Sequence, residues 1–303
     1  MYYTNMFDFI GDIHGEFDKL ILLLEKLGYQ KRNGIYSHSS RKVFFLGDLI
    51  DRGPKSKEVL ELVKRMVEND HAKIVMGNHE FNLICYFTKD KNTPSLYLRN
   101  QNEKHYKQCK ETLDQLNEQE LKYYLSWLKT IPFYFETENF RAVHASWNQK
   151  QINLLKELFD NDTGLNDFNI QKLFQDKELN LAMELTLKGP EIKLADGVFY
   201  LDKDGNKRTR ARYCWWNKDV TLLNSIKTEV NENELLKNDK FKKYSEKDKI
   251  IFFGHYWLRG NPFPFLTSSN AQCMDFSVAR DGYLAAYRYN NEKLLSENNL
   301  VYV

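Results

Sequence analysis

Three short segments constrain this chain more than anything else in it: Gly11-Asp12-Ile13-His14-Gly15, Gly47-Asp48-Leu49-Ile50-Asp51-Arg52-Gly53 and Gly77-Asn78-His79-Glu80. Each follows an apolar, strand-prone run: Phe7-Asp8-Phe9-Ile10, Lys42-Val43-Phe44-Phe45-Leu46 and Lys73-Ile74-Val75-Met76. Each therefore sets oxygen and imidazole donors in the loop just past a strand end, where α/β proteins build their sites. Asp, His and Asn with no thiolate suit a pair of borderline-to-hard divalent cations. Two later histidines also close strand-like runs, His144 after Phe140-Arg141-Ala142-Val143 and His255 after Ile250-Ile251-Phe252-Phe253-Gly254. A single such turn is a weak signal, because an ordinary strand-to-helix turn looks the same. Three in order, all bearing metal-competent side chains, point to a functional site.

Composition sets the outer bounds. At 303 residues the chain can bury one large core or two small ones. A net charge of +2 and a pI near 8.1 give no strong nucleic-acid or membrane signal. Cys85, Cys109, Cys214 and Cys273 are scattered with no C-x-x-C pair, so they read as reduced thiols. Met1 to Met6 lack a basic and an apolar region, and no apolar stretch approaches spanning length, so a cytoplasmic chain is expected.

Residues 1–147 alternate strand and helix. Phe17, Leu20, Ile21, Leu24 and Leu27 recur at helical spacing up to Gly28. After the second loop, Pro54 sits where a first helical turn tolerates it, and Val59 to Val67 make a broad apolar face. Further helices are expected over 81–87, 118–130, 150–160 and 168–187. Strands are expected over 132–135, 140–145, 249–254 and 271–277, with a hairpin of 283–289 and 293–295. Gly197–Leu201 and Lys207–Tyr213 read as another hairpin around Asp202-Lys203-Asp204-Gly205-Asn206, whose glycine comes too early for a calcium loop. His38, His71 and His105, in polar contexts, read as solvated. The pattern implies an α/β (α+β) fold of two packed sheets flanked by helices.

These motifs resemble the calcineurin-like metallophosphoesterase superfamily, whose pattern is GDxHG, GDxxDRG, GNHE and two later histidines. Gly47-Asp48-Leu49-Ile50-Asp51-Arg52-Gly53-Pro54 followed by Gly77-Asn78-His79-Glu80 is similar to its phosphoprotein phosphatase branch. The resemblance implies an αββα sandwich over 1–303 as one domain, and two divalent metals, expected as Mn with Fe, Zn, Mg, Ni or Co as alternatives. By the family pattern Asp48 bridges the pair, Asp12 and His14 complete the first metal, and Asn78, His144 and His255 the second. His79 is the expected general acid, Asp51 holds it charged, and Arg52 grips two phosphoryl oxygens, with Asn78 also facing substrate. The chemistry suits phosphate esters, which are inert because a dianion repels hydroxide and an alkoxide leaves poorly; a two-metal-activated hydroxide answers both difficulties.

The interval 148–248 is not needed for the metal set. Within 186–218 eight Lys or Arg stand against four acids, so the interval reads as a substrate-facing lid or as a solvated excursion. Arg210 and Arg212 are its candidates for a second phosphate-binding cation, with Lys188 a poorer one; Trp215 and Trp216 read equally as substrate stack or core. The eukaryotic Ser-Ala-Pro-Asn-Tyr segment has no counterpart at Thr267-Ser268-Ser269-Asn270, which implies a bacterial-type member. The first reading is a phosphomonoesterase of serine/threonine protein phosphatase type, its substrate a phosphoprotein or small phosphoester. The second is a symmetrical dinucleoside polyphosphate hydrolase. A non-catalytic phosphate-binding scaffold is disfavoured, because the full ligand set, His79, Asp51 and Arg52 stand together.

Overall fold

Strands whose side chains alternate between two apolar surroundings need cover on both faces, and that requirement shapes the molecule. The computed structural model describes residues 6–159, 164–194, 196–197, 199–201, 207–217 and 243–303. One sheet runs in the order Asp275–Phe276, Tyr283–Tyr289, Phe7–Ile10, Lys42–Phe45, Ala72–Ile74, with Leu300–Tyr302 also on Tyr283–Tyr289. The other runs Ala271–Cys273, Ile250–Phe253, Phe140–Val143, Tyr134–Glu136. Phe7, Phe9, Phe44 and Leu46 of the first sheet meet Phe140, Ala142, Ile250 and Phe252 of the second in one buried layer. The Phe9 and Phe252 rings stack there with centroids 3.8 Å apart.

The opposite face of the first sheet, including Val43, Phe45, Ala72 and Ile74, packs on helices Phe17–Lys26 and Ser56–Glu68 through Leu20, Leu24, Val59, Leu60 and Val63. The outer face of the second sheet, Val143, Ile251, Phe253 and Ala271, is covered by Ile192, Ala211, Trp215, Trp216 and Tyr244. Two sheets flanked by helices are thus observed as expected, and part of the 148–248 interval supplies cover for one of them.

Several local expectations change. The helix read as 81–87 starts at Asn78, so Asn78 and His79 sit on its first turn. The span 168–187 is two helices, Asn169–Gln175 and Lys177–Lys188, broken at Asp176, whose carboxylate accepts the N–H groups of Glu178 and Leu179. Helix Glu103–Leu113 was not expected, because its composition is polar almost all round. Residues 293–295 form no strand; the partner of Tyr283–Tyr289 is Leu300–Tyr302, and Glu292, Ser296 and Asn299 instead hydrogen-bond the Tyr287 hydroxyl. Lys207–Arg208 does pair with Tyr200–Leu201, but Arg210–Arg212 pairs with Glu191–Lys193. The turn 202–206 and the lysine-rich stretch 218–242 lie outside the described residues. Trp215 and Trp216 are core residues, packed on Phe253. His38, His71 and His105 are half-buried, not fully solvated. No helix among the described residues is long and apolar enough to cross a membrane.

Candidate active site

Strands Phe7–Ile10, Lys42–Phe45 and Ala72–Ile74 are parallel, as are Phe140–Val143 and Ile250–Phe253, so their C-terminal ends gather at one edge of the sandwich. The chain must turn sharply there to aim its side chains inward. His14, Asp48, Asp51, Arg52 and His255 all take positive φ, between 48° and 74°, a region costly for residues with a Cβ. Strain concentrated at five residues of one site marks geometry held by its surroundings. The glycines make room: the Gly77 backbone lies against Gly47, itself at φ 88°, and a Cβ on Gly254 would overlap the Asp12 carboxylate.

Asp48 is the centre of the cluster. Its Oδ2 lies 3.6 Å from His14 Nε2 and its Oδ1 3.4 Å from His144 Nε2. Asp12 Oδ2 is 3.9 Å from His14 Nε2, and Asn78 Oδ1 is 3.1 Å from His144 Nε2. Two groups of donor atoms, His14–Asp48–His79 and Asp48–His144–His255, each fall within 4.8 Å and share Asp48. Second partners orient the imidazoles: His14 Nδ1–H donates to Ile50 O at 2.9 Å and His144 Nδ1–H to Leu46 O at 2.7 Å. Both Nε2 atoms therefore turn inward as lone-pair donors. His255 Nε2 is buried and has no hydrogen-bond partner among the described residues.

Electrostatics gives the same answer. Burial, then the Asp275 and Asp48 charges, push the Asp12 carboxyl well above its usual range. Burial also opposes ionisation of Asp48, but His144 and His79 overcome it and hold that carboxyl well below the usual range. Burial opposes protonation of His144 too, and Asp48 reverses the balance, raising it. Burial, then Arg212, keep His255 neutral, well below the usual imidazole value. Packed carboxylates, inward lone pairs and an orphaned imidazole nitrogen demand positive charge at their centre. The donor set fits divalent cations.

Beside it stands a second constellation. His79 Nδ1–H donates to Asp51 Oδ2 at 2.6 Å. The Thr112 hydroxyl donates to Asp51 Oδ1 at 2.6 Å and accepts the Asp51 N–H at 2.9 Å, so the unexpected helix Glu103–Leu113 clamps the carboxylate. Arg52 Nη1 donates to His14 Nε2 at 2.7 Å and Nη2 to His79 Nε2 at 3.1 Å. Glu80, fully buried, accepts the N–H groups of Asp48, Leu49, Ile50 and Gly77, bracing the loop that carries Asp48. Burial, then the Asp48 charge, raise its carboxyl to about 7.

Asp12, His14, Asp48, Asn78, His79, Asp51, Arg52, His144 and His255 therefore come together as the sequence motifs suggest. Arg210 and Arg212 flank buried Ala211 on one ribbon and both pair with Glu191, at 3.5 and 4.0 Å, yet they differ: Arg210 is 58% exposed, whereas Arg212 is 32% exposed and its charge reaches His255. Lys188 pairs with Glu184 at 2.6 Å. Glu80, Thr112, Trp257 and Asp275 were given no role by sequence reasoning. Asp275 carried one available signal, a carboxylate between Met274 and Phe276 in a strand-like run.

The sequence profile described as calcineurin-like phosphoesterase matches residues 6–273. The symmetrical bis(5'-nucleosyl)-tetraphosphatase of Buchnera aphidicola subsp. Baizongia pistaciae is 29% identical over 304 residues, covering 94% of this chain and 95% of that protein. The asymmetrical bis(5'-nucleosyl)-tetraphosphatase PrpE of Halalkalibacterium halodurans is 51% identical, but over 74 residues, 24% of this chain and 30% of its own length. Among solved structures, a protein serine/threonine phosphatase of Saccharomyces cerevisiae matches with TM-score 0.52 at 15% identity, over all of this chain and 80% of that one. A cold-active protein-tyrosine phosphatase of a psychrophilic Shewanella matches with TM-score 0.52 at 16% identity, over 96% and 80%. At such identities the structural likeness speaks for the fold alone. The donor cluster at the sandwich edge and the profile match over most of the chain make it a member of the calcineurin-like phosphoesterases, hydrolases that depend on divalent metal ions.

Proposed function

We propose that this chain hydrolyses dinucleoside polyphosphates, cleaving diadenosine tetraphosphate symmetrically to two ADP. One observation carries the choice of substrate: similarity to a symmetrical tetraphosphatase runs nearly end to end in both chains. This prefers the second of the two enzymatic readings over the first, a serine/threonine phosphatase.

In this reading Asp12, His14, Asp48, Asn78, His144 and His255 hold two divalent cations, with Asp48 common to both. When bound, the cations neutralise phosphoryl charge and lower the pKa of an attacking water. Arg52 releases His14 and His79 and turns its planar fork onto two phosphoryl oxygens. Asp51, clamped by Thr112, keeps the proton on His79 Nδ1 and so aims Nε2 at the leaving oxygen. The bridging P–O bond between the second and third phosphates breaks; the water oxygen stays with one ADP, and the other leaves with its electron pair and a proton. Arg212, near His255, serves as a further phosphoryl-facing cation from the basic interval, which makes the ribbon of Glu191–Lys193 and Arg210–Arg212 the substrate-facing part of that lid.

The test offers Mn(II)-loaded protein diadenosine tetraphosphate, a phosphothreonine peptide and nitrophenyl phosphate, with nucleotides resolved by chromatography. ADP as sole nucleotide product, at a kcat/KM well above that on the peptide, is the expected result. AMP with ATP would make the cleavage asymmetrical, and preference for the peptide would restore the protein phosphatase reading.

A further inference from the structure

Two guanidinium groups share one indole at the rim of the site. Arg52 Cζ lies 4.0 Å from the Trp257 ring centroid and Arg280 Cζ lies 5.2 Å from it. The two cations are therefore no farther apart than the sum of these distances. The Trp257 ring also sits 6.4 Å from that of His14, beside the donor cluster.

This arrangement is built into the backbone. Asp275, fully buried, accepts the Trp257 N–H at 2.8 Å with one oxygen and the Ser277 N–H at 2.9 Å with the other. The Ser277 hydroxyl donates to Leu258 O at 3.0 Å, and Leu258 N–H donates to Asp275 O at 2.9 Å. One carboxylate thus ties the loop carrying Trp257 to the short 3-10 turn Val278–Arg280. Trp257 and Ser277 pay for it with positive φ, 53° and 61°.

We propose that Arg280 is a specificity-determining residue that binds a phosphate beyond the one undergoing attack, with Trp257 holding it in register with Arg52. The ligand chemistry is a linear polyphosphate chain, whether flanked by nucleosides or free. A monoester has one phosphoryl group and engages Arg52; a polyphosphate offers a second anionic group within reach of Arg280. The inference rests on the dinucleoside polyphosphate reading for its biological substrate, though not for its test.

Arg280→Ala and Arg280→Lys are compared with the unaltered protein at saturating Mn(II), on diadenosine tetraphosphate and nitrophenyl phosphate. Inhibition of the nitrophenyl reaction by inorganic tripolyphosphate and by phosphate is measured alongside. Arg280→Ala should lower the ratio of the two kcat/KM values about tenfold and the preference for tripolyphosphate over phosphate by a like factor, with Lys intermediate. Trp257→Leu should move both ratios the same way. An unchanged tripolyphosphate preference in Arg280→Ala overturns the proposal. If the unaltered protein leaves the tetraphosphate intact, the nucleotide reading falls, while the inhibition ratio still decides the role of Arg280.

Discussion

The Asp51 carboxylate meets His79 Nδ1 at 2.6 Å, and its other oxygen is held by the Thr112 hydroxyl at the same distance. A histidine so anchored has one direction in which to offer Nε2. His79→Asn should therefore cost about 10²–10⁴-fold in kcat on phosphoserine, whose alkoxide needs a proton. Tetraphosphate and nitrophenyl phosphate should suffer far less, because their leaving groups are better. Thr112→Val should reproduce the ranking in weaker form. Equal losses on all three substrates would assign His79 to binding.

Asp48 belongs to both donor groups, so Asp48→Asn removes the one charge they share. Changes to residues that merely orient ligands cost about 10–100-fold in metal affinity, and loss of this carboxylate should exceed that. Metal per chain should fall below two. Adding Mn(II) to chelator-treated protein should raise the Tm of the unaltered chain by mass action and that of the variant much less. Equal Tm gains would remove Asp48 from the bridge.

Gly254→Ala tests the same centre through space alone. The added methyl would overlap the Asp12 carboxylate, which also accepts the His255 N–H through both oxygens at 3.2 Å. Metal affinity should drop about 10–100-fold while far-UV circular dichroism stays unchanged. Retained affinity would mean that Asp12 can shift without cost.

Arg210 and Arg212 test whether their ribbon faces substrate or solvent. Arg212→Ala should raise KM about tenfold and weaken phosphate inhibition. Arg210→Ala should stay within about twofold, since a surface ion pair is worth little. Metal content, measured by mass spectrometry, should be unaffected in both. Matching KM values for the two variants would place the second cation elsewhere.

Phe9 is fully buried and stacks on Phe252 and on Phe44, joining the two sheets. Phe9→Ala should cost about 3–5 kcal/mol in denaturant unfolding. A loss below 1.5 kcal/mol would show that this layer repacks easily.

Much of the site was legible because its residues follow strands directly, and a strand end fixes where the next few side chains lie. Phe7–Ile10 and Lys42–Phe45 have apolar side chains facing both ways, which already demands cover on two sides. That local logic gave the packed sheets and six donors from five separate strand ends. Trp215 and Trp216 show its limit, since an aromatic pair after a basic ribbon reads alike whether it meets substrate or, as here, Phe253.

The kinds of donor, their order and the strands that present them follow from local sequence, because those depend on neighbours in the chain. Tertiary structure alone decided which distant groups act on them. Thr112 reaches Asp51 across 61 positions, and Asp12 holds the backbone of His255 across 243. Asp275 accepts the Trp257 N–H across 18 positions and so helps set that indole beside Arg52. Long-range hydrogen bonds of this kind exist only once the sheets have packed, since burial is what makes each buried polar group find a partner.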